Sequence, residues 1–438
     1  MMGHFFENIM TEQIYELFRE SEGLSTDSRT ISKGEMFFAL WGEKFNGNKY
    51  AADALKKGAS WAVIDDPAFE TGRTILVDDT LTELQKLATH HRKELKCPVI
   101  VITGTNGKTT TKELLAAVLS KKYRIHYTRK NFNNQIGVPL SILSAKQDTE
   151  IMVLEMGASH IGEIRTLCLI ARPDYGIITN IGTAHIEGFG SFEGVVKAKT
   201  ELYEYLRKVN GIAFYNDKDK LISDKIYGMV NRAVPFSDPT GTALQIIPEF
   251  SGMNLSLSFK YLNKKLEIKT NLFGAYNVEN IKAAIAIGLF FGVEPEDIAD
   301  AIEGYMPEDN RSQVLVTGNN TLICDSYNAN PASMKMAIES FAAIEAEKKL
   351  CILGDMLELG DKSEEEHKKI HRVLTDHNLQ NVMLAGPVFA KVSAGFRFKT
   401  FSSVSRLKEF LRLKPVRGYH ILIKGSRGMA LEQIYDML

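Results

Sequence analysis

The segment ITGTNGKTTTKE, Ile102 to Glu113, constrains this chain more than any other. The run VIVITG that leads into it is apolar and β-branched and stops at Gly104, so it reads as a buried strand. The residues that follow place Leu114, Leu115, Val118 and Leu119 on one helical face. A strand that turns through glycines into a helix is the setting of a phosphate-binding loop. Gly104 and Gly107 let the backbone fold around phosphate oxygens, and Thr105, Asn106 and Thr110 complete the curve. The helix start supplies unpaired N–H groups and the positive end of its dipole. Lys108 would reach the terminal phosphates, and the Thr109 hydroxyl suits a Mg²⁺ ion. The strict GxxxxGK spacing is not met, because Ile102 stands where the first glycine would be. A shorter variant of the loop, binding a nucleoside triphosphate, is the expectation.

At 438 residues, the chain has length for about three domains. Hydrophobic residues at 44% and charged residues at 24% are ordinary for a globular protein, which excludes a disordered or collagen-like chain. Fifty-three Lys and Arg against 54 Asp and Glu leave a net charge of −1, so no global basic excess drives nucleic-acid binding. Cys97, Cys168, Cys324 and Cys351 are scattered, without CxxC or metal spacing, and read as buried thiols of a reducing compartment. The start, MMGHFFENIM, has no basic, apolar and small-residue succession, and no run approaches the length needed to span a bilayer. A cytoplasmic location without membrane insertion is expected.

Three blocks differ in rhythm. Residues 1–85 mix a short helix, TEQIYELF, with extended pieces such as EMFFALWG and SWAVID. Residues 86–308 alternate apolar runs (VIVITG, IMVLEMG, YGIITNIG, GIAFYND) with helical patterns, the signature of parallel strands with helical crossovers. Residues 309–438 repeat the scheme with TLICDSYNANP, KLCILGDM, NVMLAGP and HILIKGS, and Met334, Ile338 and Phe341 keep helical spacing between the first two. The fold class is α/β with three domains: a small N-terminal α/β domain, a central P-loop ATPase domain with a mainly parallel sheet, and a Rossmann-like C-terminal domain. Polar signatures cluster at strand ends, where open α/β sheets bind ligands.

GTNGKTT resembles the loop of the Mur ligases and their relatives, the folylpolyglutamate synthetases. The other landmarks of that family follow in order: NNQIGVP from Asn133, EMGASHIGEI from Glu155, NIGTAHIEGFGS from Asn180, KAKTEL from Lys197, NVEN from Asn277, the Arg311 site, DSYNANP from Asp325 and KGSRGM from Lys424. The resemblance covers nearly the whole chain and implies ATP as the nucleotide and the use of two Mg²⁺ ions.

Glu155 and His185 each follow a strand. A carboxylate and a neutral imidazole suit Mg²⁺ held against the γ-phosphate; His185 is also a possible base, the metal role being favoured. The resemblance implies that Lys199 is carbamylated by CO₂, becoming an anion that helps hold the second metal. Lys197 is two residues away, and without the family either lysine reads as a solvated helix residue. Asn277 and Asn280 lie one turn apart and match amides that contact adenine; a helix cap is the plainer reading of Asn277. The family often has His where Tyr276 stands. Arg311 and Asp325 match residues that reach over the nucleotide, the arginine countering phosphate charge and Asp325 taking ribose hydroxyls. Asn310 occupies a place usually held by Gly.

The segments TDSR and FFALWGEKFNGN resemble the family's uridine-nucleotide-binding domain, making Asp27, Ser28, Arg29 and Asn46 candidates for uracil and pyrophosphate. The usual DGH ending is Asn46-Gly47-Asn48 here. No DNPR motif of the diaminopimelate-adding ligase is found. DSYNANPASM, LGDMLELG and KGSRGM instead resemble the branch that joins D-alanyl-D-alanine to a UDP-N-acetylmuramoyl tripeptide. Asn328 and Asn330 are candidates to orient the amine or nucleotide, and Asp355 and Glu358 to hold the dipeptide ammonium, though both also suit a helix start. Lys108, Lys199, His185 and Arg311 are the expected catalytic set. The partners expected are those two small molecules, with no nucleic acid, on a monomer. A sibling ligase adding one amino acid and an ATP-hydrolysing switch remain the alternatives.

Overall fold

The computed structural model describes residues 2–42, 45–182, 186–249, 252–393, 395 and 397–438, with side chains from Met10 onward, Ile186 and Glu187 apart. Each apolar run singled out above forms a strand. In the first unit Leu24–Ser25, Met36–Phe38, Ala62–Ile64 and Thr74–Leu76 make a four-stranded parallel sheet in that order. A two-stranded hairpin, Trp41–Gly42 with Phe45–Asn46, projects from it.

The central sheet has six parallel strands. Their spatial order is Arg232–Pro235, Ile212–Tyr215, Tyr175–Ile178, Val99–Thr103, Ile151–Glu155 and Ile125–Tyr127. The phosphate-loop strand therefore lies inside the sheet, and all five of its residues are buried. Its side chains alternate: Val99 and Val101 enter one core, Ile100 and Ile102 the other. Two-sided burial is what makes such a strand read as continuously apolar. Each Val or Ile buried there contributes about 2 kcal/mol of transfer free energy.

The first core also takes in Ile14, Met36 and Phe38 of the first unit, together with Leu84, Leu87 and Ala88. These last three lie on the helix Thr80–Glu94, so the boundary expected after residue 85 falls within a helix. That helix is amphipathic and packs both ways, which places no break in the chain there.

An antiparallel sheet of Leu244–Glu249, Asn254–Tyr261 and Lys264–Phe273 packs against the central unit. Its middle strand buries Leu255, Leu257 and Phe259 on one face, the alternation of a half-buried strand. The C-terminal sheet runs Gln313–Val316, Thr321–Asp325, His420–Lys424, Lys349–Gly354, Val382–Ala385 and Lys399–Phe401, parallel except for the first. All four cysteines are buried and free. No helix among the described residues is long and apolar enough to cross a membrane.

The helix Ser363–Asp376 turns two histidines, His367 and His371, into the C-terminal core. His367 Nε2 accepts the Met356 N–H at 3.0 Å and its Nδ1 lies 2.6 Å from the Ser363 carbonyl, so the ring is neutral with the proton on Nδ1. His371 stacks on Phe398. Burial lowers both, His371 to about 4. The unfolded chain takes up its histidine protons near pH 6.5 while folded His371 resists, so stability is intact above that pH and falls between 6.5 and 4. Denaturant titration at pH 7.5 and 4.5 should show a loss of about 3 kcal/mol assignable to His371. A His371→Phe variant should lose that share of the pH slope; an unchanged slope would contradict the assignment.

Candidate active site

A cleft of about 1260 Å³ opens at the carboxyl ends of the central and C-terminal strands, lined by both units. The phosphate loop forms its floor. Gly104 and Gly107 sit at φ +141° and +79°, and a Cβ on either would come within 2.1 Å of Thr179 Oγ1 or 2.3 Å of Asn280 Oδ1. Only glycine fits both demands.

The loop's shape is held from the neighbouring strand end. Thr179 Oγ1 donates to the Asn106 carbonyl at 2.6 Å, and the Asn180 amide both donates to that carbonyl and accepts the Asn106 N–H, each at 3.0 Å. Thr179 and Asn180 were visible in the sequence only as a motif, without a role.

Lys108 Nζ donates to the carbonyls of Gly104 and Thr105 at 2.9 and 3.0 Å. Burial lowers its pKa, Glu155 opposes that, and the Arg311 charge lowers it further. Thr109 Oγ1 donates to Glu155 Oε2 at 2.8 Å, while Asn133 Nδ2 holds Oε1 at the same distance. Glu155 is buried. A buried carboxylate and a hydroxyl in contact give two hard oxygens, which fits a Mg²⁺ that takes its other ligands from phosphate and water. Among the described residues no three His, Cys, Asp or Glu side chains gather into a metal cage. His185 lies outside the described residues.

Lys199, on the helix Phe192–Val209, is buried in the cleft wall, whereas Lys197 faces outward. Its pKa is lowered to about 7 by burial first and the Lys108 charge second, against the pull of Glu163 and Glu201. Glu201 caps the next wall element, the helix Glu163–Ala171, by accepting the N–H groups of Gly162 and Arg165 at 2.6 and 3.0 Å.

Arg311 reaches the cleft from the C-terminal side, its guanidinium 3.5 Å above the Tyr327 ring. Asp309, Asn310 and Ser312 around it all have φ between +53° and +56°. Asparagine tolerates that region best after glycine, which accounts for Asn310 at a glycine's place. Asp325 pairs with the buried Lys424 at 2.6 Å and accepts the Ser312 N–H at 3.1 Å. In the sequence Lys424 only opens the KGSRGM motif; its place in the site comes from the fold.

Asn277 and Asn280 line the cleft, yet their amides are engaged within the protein. Asn280 Nδ2 donates to Asn277 Oδ1, and Thr111 Oγ1 donates to Asn280 Oδ1. Asn277 Nδ2 donates to the Phe273 carbonyl and to Ser312 Oγ, which also bonds Tyr276 Oη at 2.8 Å. A hydrogen-bonded chain thus runs from Lys424 through Asp325, Ser312, Asn277 and Asn280 to the phosphate-loop helix. Ser312 is its middle link. Removing that hydroxyl leaves buried partners unsatisfied at about 1–3 kcal/mol, so Ser312→Ala should turn over about tenfold more slowly. Ser312→Gly keeps the backbone conformation and drops the same hydroxyl; turnover at the parent rate in that variant would show the hydroxyl is idle.

Asn330 caps the helix Pro331–Ala343 and donates from Nδ2 to Asn106 Oδ1 at 2.8 Å, bridging the C-terminal unit to the loop. Asn328 and Glu358 also line the cleft, Glu358 at φ +62°. Asp355 does not reach it. Its carboxylate is fully buried and accepts the N–H groups of Val388 and Phe389 at 2.9 Å, beside His367 at 3.6 Å. The expectation of a substrate contact is corrected to a helix-capping role.

Asp27, Ser28, Arg29 and Asn46 lie on the first unit, outside the residues lining this cleft. Arg29 closes on Asp27 at 2.7 Å and holds its carboxyl down at about 2. The Ser28 carbonyl accepts from Lys57, and Asn46 accepts the Asn48 N–H. Asn48 is buried and exchanges two hydrogen bonds with Asp65, a structural use for the residue that replaces histidine in the motif.

Three family models match in succession. The Mur ligase family catalytic domain covers residues 20–102, the Mur ligase middle domain 102–288, and the Mur ligase glutamate ligase domain 310–427. A UDP-N-acetylmuramoyl-tripeptide–D-alanyl-D-alanine ligase of Bacillus subtilis strain 168 is 37% identical, across 94% of this chain and 92% of the relative. The chain belongs to the Mur ligase family. The same-named protein of Escherichia coli K12 is 31% identical over 95% and 93% of the two chains. Among solved Mur ligases, MurF from Acinetobacter baumannii superposes with a TM-score of 0.85 at 29% identity, over 96% and 97% of the chains. MurF from Thermotoga maritima, in complex with ADP, gives 0.83 at 26% identity over 95% and 97%. As a Mur ligase the chain is an ATP-using α/β ligase of three domains.

Proposed function

We propose that this Mur ligase joins D-alanyl-D-alanine to UDP-N-acetylmuramoyl tripeptide, converting ATP to ADP and phosphate. The observation that carries the reading is one cleft in which the phosphate loop, the Glu155–Thr109 pair and Lys199 meet Arg311 from the opposite unit. Kinship with ligases of that name along nearly the full chain supports the substrate pair.

A carboxylate is a poor electrophile. The tripeptide's terminal carboxylate oxygen attacks the γ-phosphorus, the bond to the ADP oxygen breaks, and an acyl phosphate forms. The dipeptide's neutral amine adds to that carbonyl, a proton is lost, and phosphate departs as the amide forms. Lys108 and Arg311 offset charge on the transferring phosphoryl group and on the tetrahedral oxyanion. Thr109 and Glu155 would hold a Mg²⁺, one of two ions that would supply further charge neutralisation when bound. Lys199 in its neutral form could take up CO₂ with release of a proton, and the carbamate would then help hold a second ion. Asn277, Asn280 and Asp325 border the nucleoside, and Asn328, Asn330 and Glu358 border the incoming amine. Asp27, Ser28, Arg29 and Asn46 serve the uridine diphosphate end.

Phosphate release would be followed with ATP and Mg²⁺, supplying the two acceptors singly and together. Release only with both, and a product heavier by one dehydrated dipeptide, is expected. Turnover with a single amino acid in place of the dipeptide would assign the chain to a sibling ligase. Release with neither acceptor would make it a switch.

A further inference from the structure

Between Arg397 and Arg417 the chain has seven Lys and Arg against one carboxylate, Glu409, although the chain as a whole is net −1. The remainder is therefore net acidic. Glu409 is taken by Arg406 at 2.9 Å. Among the described residues no ion pair involves Arg397, Lys399, Arg412, Lys414 or Arg417.

Lys399, Arg412 and Lys414 gather at one edge, while Arg417 lies away from it, beside the start of the strand Thr321–Asp325. Lys399 lies on the outermost strand of the C-terminal sheet, Lys399–Phe401. The helix Val404–Leu413 is pinned beside it by buried Leu407 and Leu411. The ammonium groups of Lys399 and Lys414 both stand over the Phe410 ring, 5.0 and 5.8 Å from its centre. Between Arg412 and Lys414 projects Leu413, at 83% the most exposed large apolar side chain described. Four strand spacings separate this edge from the strand bearing Asp325, about 19 Å. The cleft stays open when the edge is covered.

We infer that this edge adsorbs the protein to an anionic bilayer surface, the cations meeting acidic phospholipid headgroups while Leu413 enters the interface. The cations spread across a strand, a helix and a turn, which matches a planar field of charge. Unpaired cations flanking an exposed leucine combine the two attractions that peripheral membrane binding uses. The attraction is peripheral and screened by salt, and it inserts no helix.

The test is co-sedimentation of the full chain with vesicles of phosphatidylcholine alone or with about one third phosphatidylglycerol. Binding to the anionic vesicles at low salt, release in high salt and no binding to neutral vesicles are expected. The combined Lys399→Gln, Arg412→Gln and Lys414→Gln variant should bind at least tenfold more weakly, and Leu413→Ser several-fold, with phosphate release and thermal melting unchanged. Equal binding by the triple variant, or none by the parent protein at low salt, would overturn the inference. Tighter binding to soluble polyglutamate or single-stranded DNA than to anionic vesicles would overturn it too, assigning the edge to an acidic macromolecule.

Discussion

Lys199→Met should abolish turnover, by at least a thousandfold, and at the same time make the protein more stable. The two effects share one cause. Lys199 is buried, and burial together with the Lys108 charge brings its pKa down to about 7. The unfolded chain holds the same proton up to about 10.4. Below pH 7 the fold carries the full cost of a buried ammonium, and stability rises with pH from there to about 10.4 as that cost disappears. In CO₂-free buffer at pH 7.5 methionine should therefore raise the unfolding free energy by about 2–4 kcal/mol, the gain shrinking toward pH 10. Function needs the opposite. A neutral amine at physiological pH can react with CO₂, and the parent enzyme should lose activity below pH 7 as Lys199 takes up a proton. Labelling with ¹³C-bicarbonate should give a protein-bound carbamate resonance that Lys199→Met lacks. A fully active Lys199→Met enzyme would remove Lys199 from the reaction.

Lys108→Ala should lower kcat by about 10³ to 10⁴, with the fold intact. In the structure its ammonium is held by two carbonyls of the phosphate loop and feels the Arg311 charge. A cation fixed against a transferring phosphoryl group lowers the barrier by about 4–5 kcal/mol when water is excluded. Little of the fold depends on it, because the loop is held by Thr179 and Asn180. Steady-state phosphate release, paired with a thermal melt, separates the two roles. Less than a tenfold loss of kcat would leave Arg311 and the helix N-terminus as the main source of charge. A collapsed melt would instead make Lys108 a structural residue.

The loop and the strands on which the site is built were readable because they follow local rules. Gly104 and Gly107 advertise their backbone, and two-sided burial makes Val99–Thr103 uniformly apolar. The antiparallel sheet from Leu244 to Phe273 carries a signal as well, Leu255, Leu257 and Phe259 alternating with Asn254, Ser256 and Ser258. What local rules do not convey is who meets whom. Lys197 and Lys199 are the same residue two places apart, and only the packing of their helix buries one and exposes the other. Asp355 and Glu358 share a turn, yet the helix Pro387–Val392, more than thirty residues on, claims the carboxylate of Asp355 with two backbone donors. Lys424, Ser312 and Asn180 work through partners 13 to 99 residues distant in sequence. Pairings of that reach are a property of the fold.

The direct bond between the C-terminal unit and the phosphate loop, Asn330 to Asn106, joins two uncharged amides. Such a bond is worth about 1 kcal/mol and, having no net charge at either end, is not screened by ions. The lysines and arginines on the far edge of the same unit answer ionic strength steeply. One piece of the molecule therefore has two contacts that salt separates: raising it strips the edge of its counter-surface while the amide catch on the phosphate loop keeps its strength.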